Sequence, residues 1–398
     1  MRSVWEKNRV TYKISWLVLS LTMLFAGTAT AGEWEIERLD QAGVGKFSSM
    51  KIDNEGNAHV VYVVDDGERT PVKYGFWDHK LKRWFVMTIA QYGSFCSLTL
   101  DSKQRPHIAY VDAGSMPGAK LHYGHWDGTS WKIEAIPLNA EIIAYDASIA
   151  LDSADKPSIS FYEYTGPRGS EFRVRMRVVR WNSKKQWAVE TVDGENQSGK
   201  FNSLAIDAQN HLHLAYANVN GMTAGIRYAY WDGAAWKLEI LEGLPSSQTY
   251  LGYSVCLTLD KNGDPHVSYS QYSSPFLVKY AVRKGGHWKI QVVDQLYGVG
   301  YPDRNSIFVD DAGQPYISYF DAGEGSLKLA QRRGEKWIVE TVDTNGVGYT
   351  SSVQVDHGSI WISYADEANG GFKIARRTLE PSTEISRTAS LQTSLANK

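Results

Sequence analysis

Ser306-Ile307-Phe308-Val309-Asp310, a turn at Gly313, then Pro315-Tyr316-Ile317-Ser318-Tyr319 is the stretch that decides the fold. Two short apolar runs, rich in β-branched and aromatic residues, flank a turn signal and read as paired strands. Two more runs follow at 327–331 and 337–342, again bounded by Gly, Asp or Asn. One unit of about 50 residues therefore encodes four strands.

The unit recurs. Asp310 has counterparts at Asp53, Asp101, Asp152, Asp207, Asp260 and Asp356. Four positions before these aspartates stand Ser49, Ser97, Ser148, Ser203, Cys256, Ser306 and Ser352. A second string, Trp-x-apolar and most often Glu, appears at Trp34, Trp84, Trp131, Trp187, Trp236, Trp288 and Trp337. Seven four-stranded units without helical periodicity describe an all-β, seven-bladed β-propeller. The ends agree. Trp34-Glu35-Ile36-Glu37 is a fourth strand lacking its first three, and 372–376 is a third strand lacking its fourth. We expect four antiparallel strands per blade over 32–378, with the N-terminal strand joining the C-terminal blade. That joint closes the ring and removes an open sheet edge.

Composition sets the outer limits. The 398 residues are 43% hydrophobic and 12% aromatic, with two Cys, 35 Gly and 12 Pro. This excludes a disordered chain, a collagen-like fibre and a disulfide-stapled miniprotein. The formal charge of −2 leaves no basic excess, so no nucleic-acid partner is expected. Arg2, Lys7, Arg9 and Lys13 precede an apolar run at 14–25, and Ala29-Thr30-Ala31 follows. These features predict a secretory signal peptide over 1–31, no membrane insertion after cleavage, and a secreted or periplasmic protein. Residues 379–398, rich in Ser, Thr and Ala, read as a flexible tail.

The units resemble the bacterial repeats of the sialidase-like, Asp-box type of β-propeller. The resemblance covers 33–377 and concerns architecture. The Asp-box pattern is Ser-x-Asp-x-Gly-x-x-Trp. Here the Gly falls three residues past the Asp, at Gly56, Gly263 and Gly313, and the Trp is missing. Catalytic sialidases of this type typically have six blades, and this chain has seven units.

Residues present in every blade are expected to serve the scaffold. Each Asp can accept backbone N–H groups of its own turn, and the tryptophans can fill the wedge between adjacent outer strands. A third-strand cation recurs at Lys73, His122, Arg177, Arg227, Lys279, Lys328 and Lys373. Cross-strand pairing with Glu37, Glu134, Glu190, Glu239 and Glu340 would account for both sets. His59, His107, His213 and His266 fall in different blades, so no metal site is expected. Cys96 and Cys256 sit on opposite arcs and predict two buried, unpaired thiols. No cofactor motif appears.

Function should lie where blades differ, on the face that gathers the fourth-to-first and second-to-third connections. An aromatic precedes each first strand: Phe47, Phe95, Tyr145, Phe201, Tyr253, Tyr301 and Tyr349. Tyr92 and Tyr297 join them. Aromatic faces suit sugar rings, so the expected partner is carbohydrate or a cell-surface glycan, bound by a monomer. The same face collects Asp65, Asp66, Asp112, Glu163, Asp321, Asp366 and Glu367. Unit 3 adds Arg168 in a long loop and a stripe of Arg173, Arg175 and Arg177, suited to an acidic polysaccharide. Of these we single out Phe47, Tyr92, Tyr145, Phe201, Tyr253, Tyr301, Tyr349, Asp112, Arg168 and Asp321 as ligand-binding residues. Two alternatives stand. A glycoside hydrolase would pair Asp65 or Asp112 with Asp321 or Asp366, and a polysaccharide lyase would use Tyr162, His107 and Arg177. A protein-binding scaffold would instead expose a contiguous apolar patch.

Overall fold

A computed structural model describes residues 32–41, 43–112, 114, 119–139, 143–165, 173–194, 198–219, 224–243, 250–297, 305–345 and 347–379. The expected signal peptide, Arg168, Tyr301 and the tail beyond 379 lie outside them.

Among the described residues, twenty-eight strands form seven four-stranded antiparallel sheets. We letter the strands of each blade a to d in the order of pairing. Blades 1 to 6 span 44–90, 94–135, 143–193, 198–243, 250–296 and 306–343. Blade 7 takes strands a to c from Val347–Asp356, Ser359–Asp366 and Phe372–Thr378, and its strand d from Glu35–Asp40. Glu35 pairs with Arg376 and Glu37 with Ile374, so the ring closes as the sequence predicts. Among the described residues no helix is long and apolar enough to cross a membrane.

Each a strand lies against the a strands of its two neighbours around the axis. The b strands are almost wholly buried, as in Ala58–Asp65 and Pro315–Asp321. The d strands keep much of their surface in solvent, as in Trp131–Ala135. Seven apolar clusters wedge the blades apart, and each draws on adjacent sheets. One joins Val61 and Tyr74 of blade 1 to Leu98 and Ile108 of blade 2.

The recurring residues divide the labour of holding the ring. At the a–b turn, Asp53 Oδ1 accepts the Glu55 and Asn57 N–H groups, and Asp310 Oδ1 accepts those of Ala312 and Gln314. The third residue of this turn is left-handed, with φ of 81° at Gly56 and 66° at Asn210, which explains its Gly, Asn and Asp preference. Four blades then build an identical buried relay behind the turn. In blade 2, His107 Nδ1 lies 2.6 Å from Tyr123 Oη, and its Nε2 lies 3.5 Å from Asp101. His59–Tyr74, His213–Tyr228 and His266–Tyr280 repeat the 2.6 Å contact. The next blade's Trp closes edge-on over the relay tyrosine: Trp131 on Tyr74, Trp187 on Tyr123, Trp288 on Tyr228 and Trp337 on Tyr280. Blade 6 has Tyr316 in place of the His, and its hydroxyl bonds Asp310 directly.

The Ser/Cys column latches each inner strand to the next. Ser49 Oγ accepts the Leu98 N–H at 3.1 Å, Ser97 that of Ile149, Ser148 that of Leu204 and Ser203 that of Leu257. Ser306 accepts from Val353, and Ser352 accepts from Met50 across the closure. Cys256 takes the same place toward Ile307.

The third-strand cations need a correction. Glu134, Glu190, Glu239 and Glu340 stand opposite Tyr123, Val178, Tyr228 and Leu329, one residue away from the cations. A one-residue offset in a strand puts two side chains on opposite faces of the sheet. The cations instead reach other acids, often across the blade boundary: Lys73 to Asp40, Arg227 to Asp193, Lys279 to Glu242 and Lys373 to Asp343. A b-strand tyrosine completes the staple, with Tyr62, Tyr216, Tyr269 and Tyr364 donating to the same four acids. The glutamates accept the next blade's indole N–H, as Glu37 does from Trp84 and Glu134 from Trp187. The thiols are correctly expected to be unpaired, but only Cys96 is buried. Cys256, at the belt position of blade 5, is half-buried.

Candidate functional site

The d–a and b–c connections do share one face, here called the top. Tyr92, between blades 1 and 2, bridges to Thr70 of a b–c loop. Gly114 of the next b–c loop packs against the Tyr92 ring, where a side chain would clash. Gly323 lies so close to the Tyr297 carbonyl that no Cβ fits.

The aromatics sit inside the strands, which corrects the expectation that they precede them. The a strands start early, at Val44, Ser94, Ile143, Ser198, Tyr250 and Val347. Each of these six carries a register shift just above the serine/cysteine belt. Phe47, Phe95 and Phe201 occupy that irregularity with φ of 48°, 51° and 53°. Left-handed backbone at a bulky residue costs on the order of 1 kcal/mol or more. It turns these rings into the seams between blades, where they are half-buried against the apolar clusters. Tyr253 and Tyr349 lie in a strands whose side chains there fall outside the description.

A row of rings results. Phe47 and Phe95 lie 4.5 Å apart, Phe95 and Tyr145 6.0 Å, and Tyr145 stacks on Tyr162 at 5.0 Å. The row crosses blades 1 to 3. Tyr92 (42% exposed) and Tyr297 (73% exposed) stand free of the core on the same face.

The acids of this face are engaged. Asp65 bonds Lys46 at 2.9 Å, and that ammonium holds its carboxyl below the usual range. Asp66 is lowered too, by the Arg69 and Glu68 N–H groups. Asp112 accepts the Gly114 N–H, and Asp321, itself buried, accepts that of Gly323. Asp366 is buried between Arg38 and Lys373. Glu163 is buried beneath both Arg175 and Arg177, so two of the three stripe arginines serve an internal carboxylate and Arg173 alone is exposed.

The trio proposed for a lyase is not assembled. Tyr162 lies toward the top of strand b of blade 3, whereas His107 starts strand b of blade 2 at the opposite end, inside its Asp–Tyr relay. Arg177 is bound to Glu163. The large exposed apolar residues Leu238, Ile240, Ile290 and Val292 lie on the d strands of blades 4 and 5, away from the top.

What the sequence reading missed is the central channel. It is a cavity of about 370 Å³ bounded by the a strands and lined mainly by Ser, Thr, Asn and small apolar side chains. The recurring Ser column was the available signal, because a polar residue repeated in every inner strand must face something shared.

Comparison with known proteins places the architecture. No family model matches the chain, and no curated protein matches it. Several solved structures share the fold at low identity. A protein of unknown function from Dyadobacter fermentans superposes with a TM-score of 0.54 and 11% identity, covering 72% of this chain and 95% of its own. An ulvan lyase bound to -[GlcA(1-4)Rha3S]- gives 0.53 and 13%, covering 74% and 80%. The Hadza microbial sialidase Hz136 gives 0.51 and 10%, covering 78% and 73%. The chain shares the β-propeller fold of these structures.

Proposed function

We propose that this protein binds carbohydrate on its top face and does not cleave it. The observation that carries the reading is the ring row Phe47–Phe95–Tyr145–Tyr162, with the exposed rings of Tyr92 and Tyr297 elsewhere on the same face. Sugar C–H faces stack on such surfaces while ring hydroxyls find polar edges. Asp112, fixed by the Gly114 N–H, sets a carboxylate on the same face in blade 2.

The electrostatics favour binding over hydrolysis. A glycosidase needs a carboxylic acid kept protonated near neutral pH. Asp65 and Asp66 are pushed the other way, Glu163 is paired with Arg175 and Arg177, and Asp366 with Arg38 and Lys373. Carbohydrate-processing propellers among the structural neighbours, the ulvan lyase and the sialidase, fit the same ligand class. Export to the periplasm or beyond would place the protein where such ligands occur.

A glycan array probed with residues 32–398 tests this. Tyr92→Ala and Tyr297→Ala remove exposed rings, so melting should be unchanged. Each should weaken binding about tenfold, the value of one stacking contact. Absence of binding to every glycan, or binding indifferent to both substitutions, refutes the proposal. New reducing ends or unsaturated products would refute the non-catalytic part.

A further inference from the structure

The central channel has a second reading, independent of the top face. Its lining repeats in layers, because equivalent residues of the a strands stand at equal heights. Two residues past the belt the layer contains Lys51 of blade 1, Thr99 of blade 2, Thr258 of blade 5 and Gln354 of blade 7, with alanine or phenylalanine from the other blades. Among the described residues that line the cavity, Lys51 is the one charged side chain and none is Asp or Glu. Among the described residues Lys51 has no carboxylate within ion-pair distance. Cys256 of blade 5, on the far side of the ring, lines the same cavity.

A half-buried cation without a counter-charge stands apart here, because the third-strand cations of this fold's own staples are paired. Burial holds the Lys51 pKa below the ordinary lysine value, and no carboxylate opposes it. The surroundings are what a small anion requires: one positive charge, two threonine hydroxyls and one carboxamide that can donate. We propose that the channel is a binding site for one small monovalent anion, a halide or a short carboxylate, held by Lys51 with Thr99, Thr258 and Gln354. A single ammonium matches a single negative charge, and a dianion would leave the imbalance reversed. The belt serines line the same space, where their oxygens accept N–H groups of the next blade.

The test uses residues 32–398 in gluconate buffer at constant ionic strength, titrated separately with chloride and with formate. The wild type should melt higher by an equal step for each tenfold rise in the bound anion above its Kd. Lys51→Met should abolish that dependence, and Lys51→Gln serves if the Met variant does not fold. Which of the two salts acts identifies the source. A bromide-soaked crystal should show one anomalous peak within hydrogen-bond distance of Lys51 Nζ. Melting indifferent to both anions, a dependence surviving in the Lys51 variant, or bromide bound only elsewhere would overturn the proposal.

Discussion

Single side chains in this molecule act chiefly by occupying a backbone group of another blade. Ser203 Oγ accepts the buried Leu257 N–H at 3.0 Å. Ser203→Ala should strand that donor and cost about 1–3 kcal/mol, read as a lower urea midpoint with unchanged slope. The relay histidines set the acid limit of stability. An unfolded imidazole titrates near 6.5. Burial carries His107 down to about 4 against the pull of Asp101, and burial lowers His213 and His266 as well. Between those values the unfolded chain holds more protons than the folded one, so stability rises with pH. The contribution is complete above about 6.5 and drains as pH falls to 4, worth at most about 3 kcal/mol for His107. Asp53 follows at lower pH. Burial opposes its ionisation, but hydrogen bonds from His59 and Asn57 bring it to about 2. Melting temperature should therefore decline from pH 6.5 to 4 in wild type and less so in His107→Gln.

Between elements, paired substitutions report how sheets recognise one another. Arg227, Tyr216 and Asp193 are all buried, and Arg227 Nη1 lies 2.8 Å from Asp193 across the blade 3–4 boundary. Arg227→Ala should cost about 3–5 kcal/mol by leaving Asp193 charged and enclosed, and Arg227→Met with Asp193→Asn should recover part of it. An urea series on the three variants checks the coupling. The same logic shows what could be read from the chain. Repeat number, strand count and ring closure were legible because each is a periodic pattern, visible once Asp53 to Asp356 are aligned. Partner choice between blades was less so, since the Lys73–Asp40 contact joins positions that no hairpin register relates. Yet one correlation was present. Where strand b carries Ser160, Ser268, Ser318 or Ser363, the residue above the next belt position is Asn202, Asn305, Ser351 or Ser48, and each pair is hydrogen-bonded. Where strand b carries Val61, Ala109 or Ala215, the partner is Cys96, Ala147 or Val255, packed in the apolar clusters. The aromatic row was half-legible: its residue types were plain, but the left-handed kinks that sink Phe47 and Phe95 between blades depend on a register shift that composition does not announce.

At the scale of the whole molecule, stability rests on closure. The strand Glu35–Asp40 supplies the outer edge of blade 7 and, through Asp40 and Glu37, the partners of Lys73 and Trp84 in blade 1. Deleting 32–41 exposes the edge of Phe372–Thr378 and removes the Asp40 partner of the half-buried Lys73. We expect self-association by light scattering and a markedly lower melting temperature, whereas melting equal to the full chain would show that the joint is dispensable.

That joint also orders events in time. Arg376 meets Glu35 across 341 positions of sequence. During synthesis the earliest strand to emerge has no mate until nearly everything else has been made, and six blades can assemble while it waits. The final step is then a long-range capture, the slow kind by loop-closure entropy. Until it happens the nascent wheel is a horseshoe with two sticky lips, and its survival hinges on how quickly the first segment finds the last.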